Sequence, residues 1–87
     1  MYKKVIRQAL EKALSEDLEI QVTDIKATDD LFLIGMDSIN VIRLIVQIED
    51  IIGVEFWDSE IQRDNWQTIE CINEMIIKKV SKNNDLS

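Results

Sequence analysis

The chain has no proline and no histidine, two glycines and one cysteine. Each shortage excludes something. Without proline, little interrupts a helix. Without histidine, the usual general base and the commonest metal ligand are missing. Cys71 alone forms neither an internal disulfide framework nor a thiolate metal site. Two glycines are too few for a glycine-rich phosphate loop. No stretch reaches the roughly 18 apolar residues that span a bilayer, and the first residues lack an apolar signal core. Carboxylates are plentiful, yet no pair is singled out for acid–base work. A chain of 87 residues is too small to build a glycosidase-type cleft around such a pair. A reducing cytoplasm is the expected setting.

Basic charge is scarce through the middle. The net charge is −7, unevenly spread. Residues 1–14 are basic through Lys3, Lys4, Arg7 and Lys12. Residues 15–64 set thirteen acids against Lys26, Arg43 and Arg63 alone. Such a surface repels a phosphate backbone, so nucleic acid is excluded as a partner and basic protein surfaces are favoured. Solubility alone also accounts for the acidity.

What remains is helix-forming. The length sets a single domain over 1–87, with residues 2–81 ordered and 82–87 a frayed tail. Val5, Ile6, Ala9, Leu10, Ala13 and Leu14 make one stripe of a first helix from Tyr2 to Leu14. A long connection from Glu16 to Met36 needs anchors, and Val22, Ile25, Leu31, Phe32 and Ile34 supply them. Asp29 and Asp30 suit the start of a short helical turn. A second helix runs from Ser38 to Ile52, capped by Asp37 and stopped by Gly53. A short third element is placed at Ser59–Arg63. The last helix runs from Thr68 to Val80, with Ile69, Ile72, Ile76 and Val80 on one face. The expected fold is all-α: a small four-helix up-down bundle, its third helix short, with a long loop between helices 1 and 2.

The second helix is apolar on two sides. Val41, Leu44, Ile45, Ile48, Ile51 and Ile52 form a wide face that must be core. Ile39, Ile42 and Val46 lie nearly opposite, among Arg43, Glu49 and Asp50. So small a domain has too little protein to cover both faces, so the second is read as a partner-contact stripe. Val54, Phe56 and Ile61 read as core contacts. Trp57 and Trp66 fit either core packing or an interface. Cys71, off the main apolar face, reads as a passenger.

The most specific motif is Gly35-Met36-Asp37-Ser38-Ile39. Glycine allows a sharp turn, and Ser38 then sits at a helix start facing solvent, with no histidine to activate it. That makes a poor nucleophile and a good attachment point. The segment LFLIGMDSINVIRLIVQIED, residues 31–50, resembles the phosphopantetheine site of acyl and peptidyl carrier proteins. So does the preceding Asp30-Leu31-Phe32-Leu33-Ile34-Gly35. The resemblance covers roughly Val5 to Val80. It implies a non-enzymatic carrier with 4'-phosphopantetheine, derived from coenzyme A, on Ser38. Its thiol would hold an acyl or aminoacyl group as a thioester. It implies contact of Asp37 with a phosphopantetheinyl transferase, and an adenylating or acyl-loading enzyme as partner. A monomer is expected. Arg43 and Gln47 interrupt the second helix where fatty-acid carriers are usually more acidic. The stretch SEIQRDNWQTIECI resembles D-alanyl carrier proteins, as does RLIVQIEDIIGVEF. That family usually has two leucines where Gly35-Met36 stands, so a D-alanyl carrier is the alternative. An unmodified helical interaction module is the other.

Overall fold

The computed structural model describes residues 1–85, with side chains placed through Ser81. Among these residues there are three α-helices and no strand: α1 (Lys3–Leu14), α2 (Ser38–Ile52) and α3 (Ile69–Asp85). The expected fourth helix is absent as such. Two short 3₁₀ turns, Asp58–Glu60 and Arg63–Trp66, stand in its place. The reason is local. Glu60 Oε1 accepts the Trp57 N–H at 2.7 Å, and Ile61 N–H donates back to Asp58 O at 3.1 Å. These contacts close tight three-residue turns instead of a continuing helix. Helix α3 runs through Asp85, beyond the point where a frayed tail was expected. Leu86 and Ser87, the rest of that expected tail, lie outside the described residues.

The core is one cluster drawn from all three helices and the long connection. Ile6, Leu10 and Leu14 of α1, Leu44 and Ile48 of α2, and Ile69, Ile72 and Ile76 of α3 are fully buried. Helix α1 has no side-chain cap of its own. Asn73 of α3 serves instead: its Oδ1 accepts the Tyr2 N–H at 2.6 Å and the terminal ammonium at 3.3 Å.

The long connection is ordered by packing and by polar ties. Leu18, Val22, Ile25, Leu31 and Met36 are buried, while Phe32 and Ile34 are half-buried. Arg7 reaches from α1 to donate to Val22 O at 3.2 Å and Ile25 O at 2.7 Å. Leu31 N–H donates to Gln67 O at 2.8 Å, and Glu70 N–H to Ala27 O at 3.0 Å, which fastens the connection to the start of α3. After Asp30, successive i→i+3 bonds at Leu33, Ile34 and Gly35 wind a helical turn. Asp30 Oδ1 accepts the Phe32 N–H at its start.

One core assignment is corrected. Ile51 is 43% exposed, whereas Ile52, half-buried, still packs against the core. At about 100° per residue, Ile51 falls roughly 70° from the centre of the buried stripe. It also lies in the last turn, where Gly53 takes φ +79° and the chain leaves. Trp66 is resolved as core: fully buried, edge-on to Phe56 at 5.3 Å, its indole N–H donating to Glu60 O at 2.9 Å. Trp57 is 65% exposed.

Candidate functional site

The site begins at Gly35, which takes φ +118°. A Cβ there would stand 2.9 Å from Asp17 O, so both the backbone conformation and the space demand glycine. Glu19 N–H donates to Ile34 O at 2.9 Å beside it. The turn is thereby pressed against the end of α1. Met36 follows, buried, and directs Asp37 and Ser38 outward.

Asp37 caps α2. Its Oδ1 accepts the Asn40 N–H at 2.8 Å, and Asn40 Oδ1 accepts the Asp37 N–H at 3.1 Å. This reciprocal pair satisfies two amides at the helix start, as a capping box does. Asn40 is buried, and its Nδ2 donates to Asp17 Oδ2 at 3.4 Å. Asn40 is the residue that sequence reasoning missed. Its position three after Asp37 carried the signal, since a side-chain acceptor there completes the box.

Ser38 is the first residue of α2 and is exposed. Its hydroxyl has no hydrogen-bond partner among the described residues. No group of three or more acidic, cysteine or histidine ligands able to hold a metal exists among them either. The hydroxyl opens on a groove of about 1010 Å³. Phe32 and Met36 line it from the long connection, Val41 and Ile42 from α2, and Ile61 and Arg63 from the α2–α3 connection.

Around Ser38 the apolar side chains stay uncovered. Ile39 is 70% exposed, Ile42 51% and Val46 49%. Leu33, which the sequence analysis did not single out, is 77% exposed on the preceding turn. Arg43 Nη1 pairs with Asp17 Oδ2 at 3.1 Å. Arg63 lies over the Phe32 ring at 4.1 Å. Glu49 is half-buried, and its Oε2 accepts the Phe56 N–H at 2.8 Å. It braces the corner after α2, whereas Asp50 stands exposed. Asp30 is held below its ordinary carboxyl value of 3.8. The chief cause is the hydrogen bond from Gln67 Nε2 at 2.8 Å. Backbone N–H groups of Phe32 and Leu33 and the Arg63 charge add to it, against partial burial.

The arrangement suits a covalent arm. An exposed hydroxyl without internal partners is free to be substituted, and an apolar groove leads away from it.

Comparison with known proteins agrees. A family model described as a phosphopantetheine attachment site matches residues 8–75. Among curated proteins, none matches the chain. Solved structures do. The carrier protein from Agrobacterium tumefaciens, in complex with an engineered Bradyrhizobium japonicum glycine:[carrier protein] ligase and ATP, is 26% identical. That match has a TM-score of 0.79 and covers 87% of this chain and 96% of that one. The same pair with AMP gives 27% identity, a TM-score of 0.77, and 85% and 96% coverage. The cognate carrier of the Bradyrhizobium japonicum ligase, bound with an analogue of glycyl adenylate, is 21% identical. Its TM-score is 0.64, with 87% and 91% coverage, and it shows likeness of fold. The chain therefore belongs to the phosphopantetheine attachment-site family, non-catalytic carriers to which 4'-phosphopantetheine is covalently joined.

Proposed function

We propose that the chain is a carrier in which Ser38 bears the phosphopantetheine arm and delivers an acyl or aminoacyl group to biosynthetic enzymes. The observation that carries this reading is the Ser38 hydroxyl: exposed, without an internal partner, and at the head of a capped helix beside an apolar groove. When bound, the arm supplies a terminal thiol that holds the cargo carboxyl as a thioester. The chain supplies the rest. Gly35 and Met36 present the serine. Asp37 fixes the first turn through Oδ1 and leaves Oδ2 for the phosphopantetheinyl transferase, which brings its own base and metal. Ile39, Ile42 and Val46, with Leu33, form the apolar surface on which partners dock. Asp50 steers their approach, and Arg43 discriminates among them. Glu49 contributes its charge while bracing the corner. The carrier acts as a monomer in the cytoplasm.

An aminoacyl cargo, activated by an adenylating ligase, is the finer reading. Its support is the likeness, at 26–27% identity, to a carrier bound by a glycine ligase. D-alanine is the alternative amino acid, on the likeness of residues 59–72 to D-alanyl carriers.

Coenzyme A and a broad-specificity transferase should add one phosphopantetheine, read by intact mass. The holo protein is then offered glycine, D-alanine or a fatty acid, each with ATP and a matching ligase. Mass gain with an amino acid supports the aminoacyl reading, and gain only with the fatty acid contradicts it. No modification at all would leave the chain as an unmodified interaction module.

A further inference from the structure

We propose that Arg43 and Arg63 form an anion clamp that holds the phosphate of the arm, so that the first part of the arm lies in the groove. The inference rests on the reading of Ser38 as attachment point and goes beyond it. Its first ground is scarcity. Residues 15–64 contain three cationic side chains against thirteen acids. Two of those three line the single groove into which Ser38 opens. They come from different elements, Arg43 from α2 and Arg63 from the α2–α3 connection.

The second ground is what their guanidinium groups do. Arg7, the third arginine of the chain, spends its guanidinium on the carbonyls of Val22 and Ile25. Arg63 donates no hydrogen bond among the described residues. Its guanidinium carbon sits 4.1 Å from the Phe32 ring centroid, and its charge acts on Asp30 while its N–H donors stay uncommitted. Arg43 commits Nη1 to Asp17, and its other donors are unused. A guanidinium presents five N–H donors, and its fork matches phosphate oxygens two at a time.

The third ground is a local need. A phosphodiester on Ser38 keeps one negative charge at neutral pH. It would form beside the Asp37 carboxylate. Asp37 Oδ1 is turned onto the Asn40 amide, but its charge remains. Two cations facing the same groove offset that repulsion and give the phosphate a place to rest. The apolar lining from Val41 and Ile61 then accommodates the carbon chain beyond it.

The test is NMR of the full chain before and after modification, with intact mass read on the same sample. Arg7 serves as the internal reference. The Nε–H signals of Arg43 and Arg63 should shift on conversion to the holo form, while that of Arg7 stays. The phosphorus resonance should move with added salt in wild type. In the R43Q/R63Q variant it should be displaced and insensitive to salt. The single variant R63Q, which touches only an exposed side chain, should lose the larger part of the effect, and R63K should restore some of it. If the mass shows modification yet neither arginine signal moves, and the phosphorus resonance is the same in wild type and R43Q/R63Q, the clamp is overturned while the carrier reading stands. If the mass shows no modification, the attachment reading fails and the clamp falls with it.

Discussion

The two apolar faces of α2 have nearly the same chemistry and opposite fates. Val41, Leu44, Ile45 and Ile48 are buried, two of them completely. Ile39, Ile42 and Val46, of the same residue types, are exposed to between 49% and 70%. Composition does not separate them. What separates them is coverage: α1 and the rest of the core close over one face, and no described element closes over the other. Retaining three exposed β-branched side chains beside Ser38 costs solubility and helix propensity. A docking role accounts for that cost.

The comparison breaks most sharply at Ile48. Ile48→Ala leaves a cavity in the core and should destabilise by about 2–5 kcal/mol. That is enough to unfold much of a domain this small, read by thermal or urea melting. Gly35→Ala tests what aims the two faces. It puts an alanine at a left-handed φ and a Cβ 2.9 Å from Asp17 O. A loss of about 2–3 kcal/mol is expected, with slower modification of Ser38 because the turn presenting it must shift.

A smaller effect is expected at Lys79, which ties α3 to the Asp58–Glu60 turn. Its ammonium is 2.8 Å from Glu60 Oε1, nearly buried, and 4.9 Å from the Trp57 ring. Lys79→Met keeps the stem and removes the nearly buried charge that pairs with Glu60 and faces the Trp57 ring. The expected loss is about 1–2 kcal/mol by denaturant melting. An increase in stability would show that the pair is replaceable by apolar packing.

Ile42→Ala should barely change stability, by under about 0.5 kcal/mol, and should instead slow loading by the partner ligase. A melting shift equal to that of Ile48→Ala would remove the distinction between the faces. The smallest effect concerns pH. Asp30 has a lowered folded pKa, so its stabilising contribution is complete above the ordinary value of 3.8. That contribution fades as pH falls from there through the folded value. Asp30→Asn should flatten the acid limb of the stability profile below about pH 4 and lose, at neutral pH, the stability that the ionised carboxylate draws from Gln67, the Phe32 and Leu33 amides and the Arg63 charge.

The helices were legible because their apolar spacing and end signals agreed. Gly35, Asp37, Ser38 and Gly53 stand at the turns and caps that their local chemistry requires. The region between α2 and α3 was less legible. Residues 58–66 depend on side chains folding back on their own backbone, as Glu60 does on Trp57, and on Trp66 finding a buried acceptor. Periodicity does not record such bonds. Ile51 was misplaced because a stripe drawn on a helix says nothing about where the covering elements stop. Asn40 was passed over because a buried asparagine looks polar in sequence, and its partner Asp17, 23 residues away, reaches it only in the fold. Leu33 was hidden in a loop, where exposure follows from the turn and not from a repeat.

The account rests most directly on one hydroxyl. Wild type and Ser38→Ala should be treated together with coenzyme A and a phosphopantetheinyl transferase, with folding checked by circular dichroism and the products read by intact and peptide mass. Asp37 still caps α2 in the variant, so its helicity should match wild type. The account predicts one phosphopantetheine on the wild-type peptide containing Ser38 and none on the variant. A folded variant that still gains the group, or a wild type that carries it on another residue, would contradict the account.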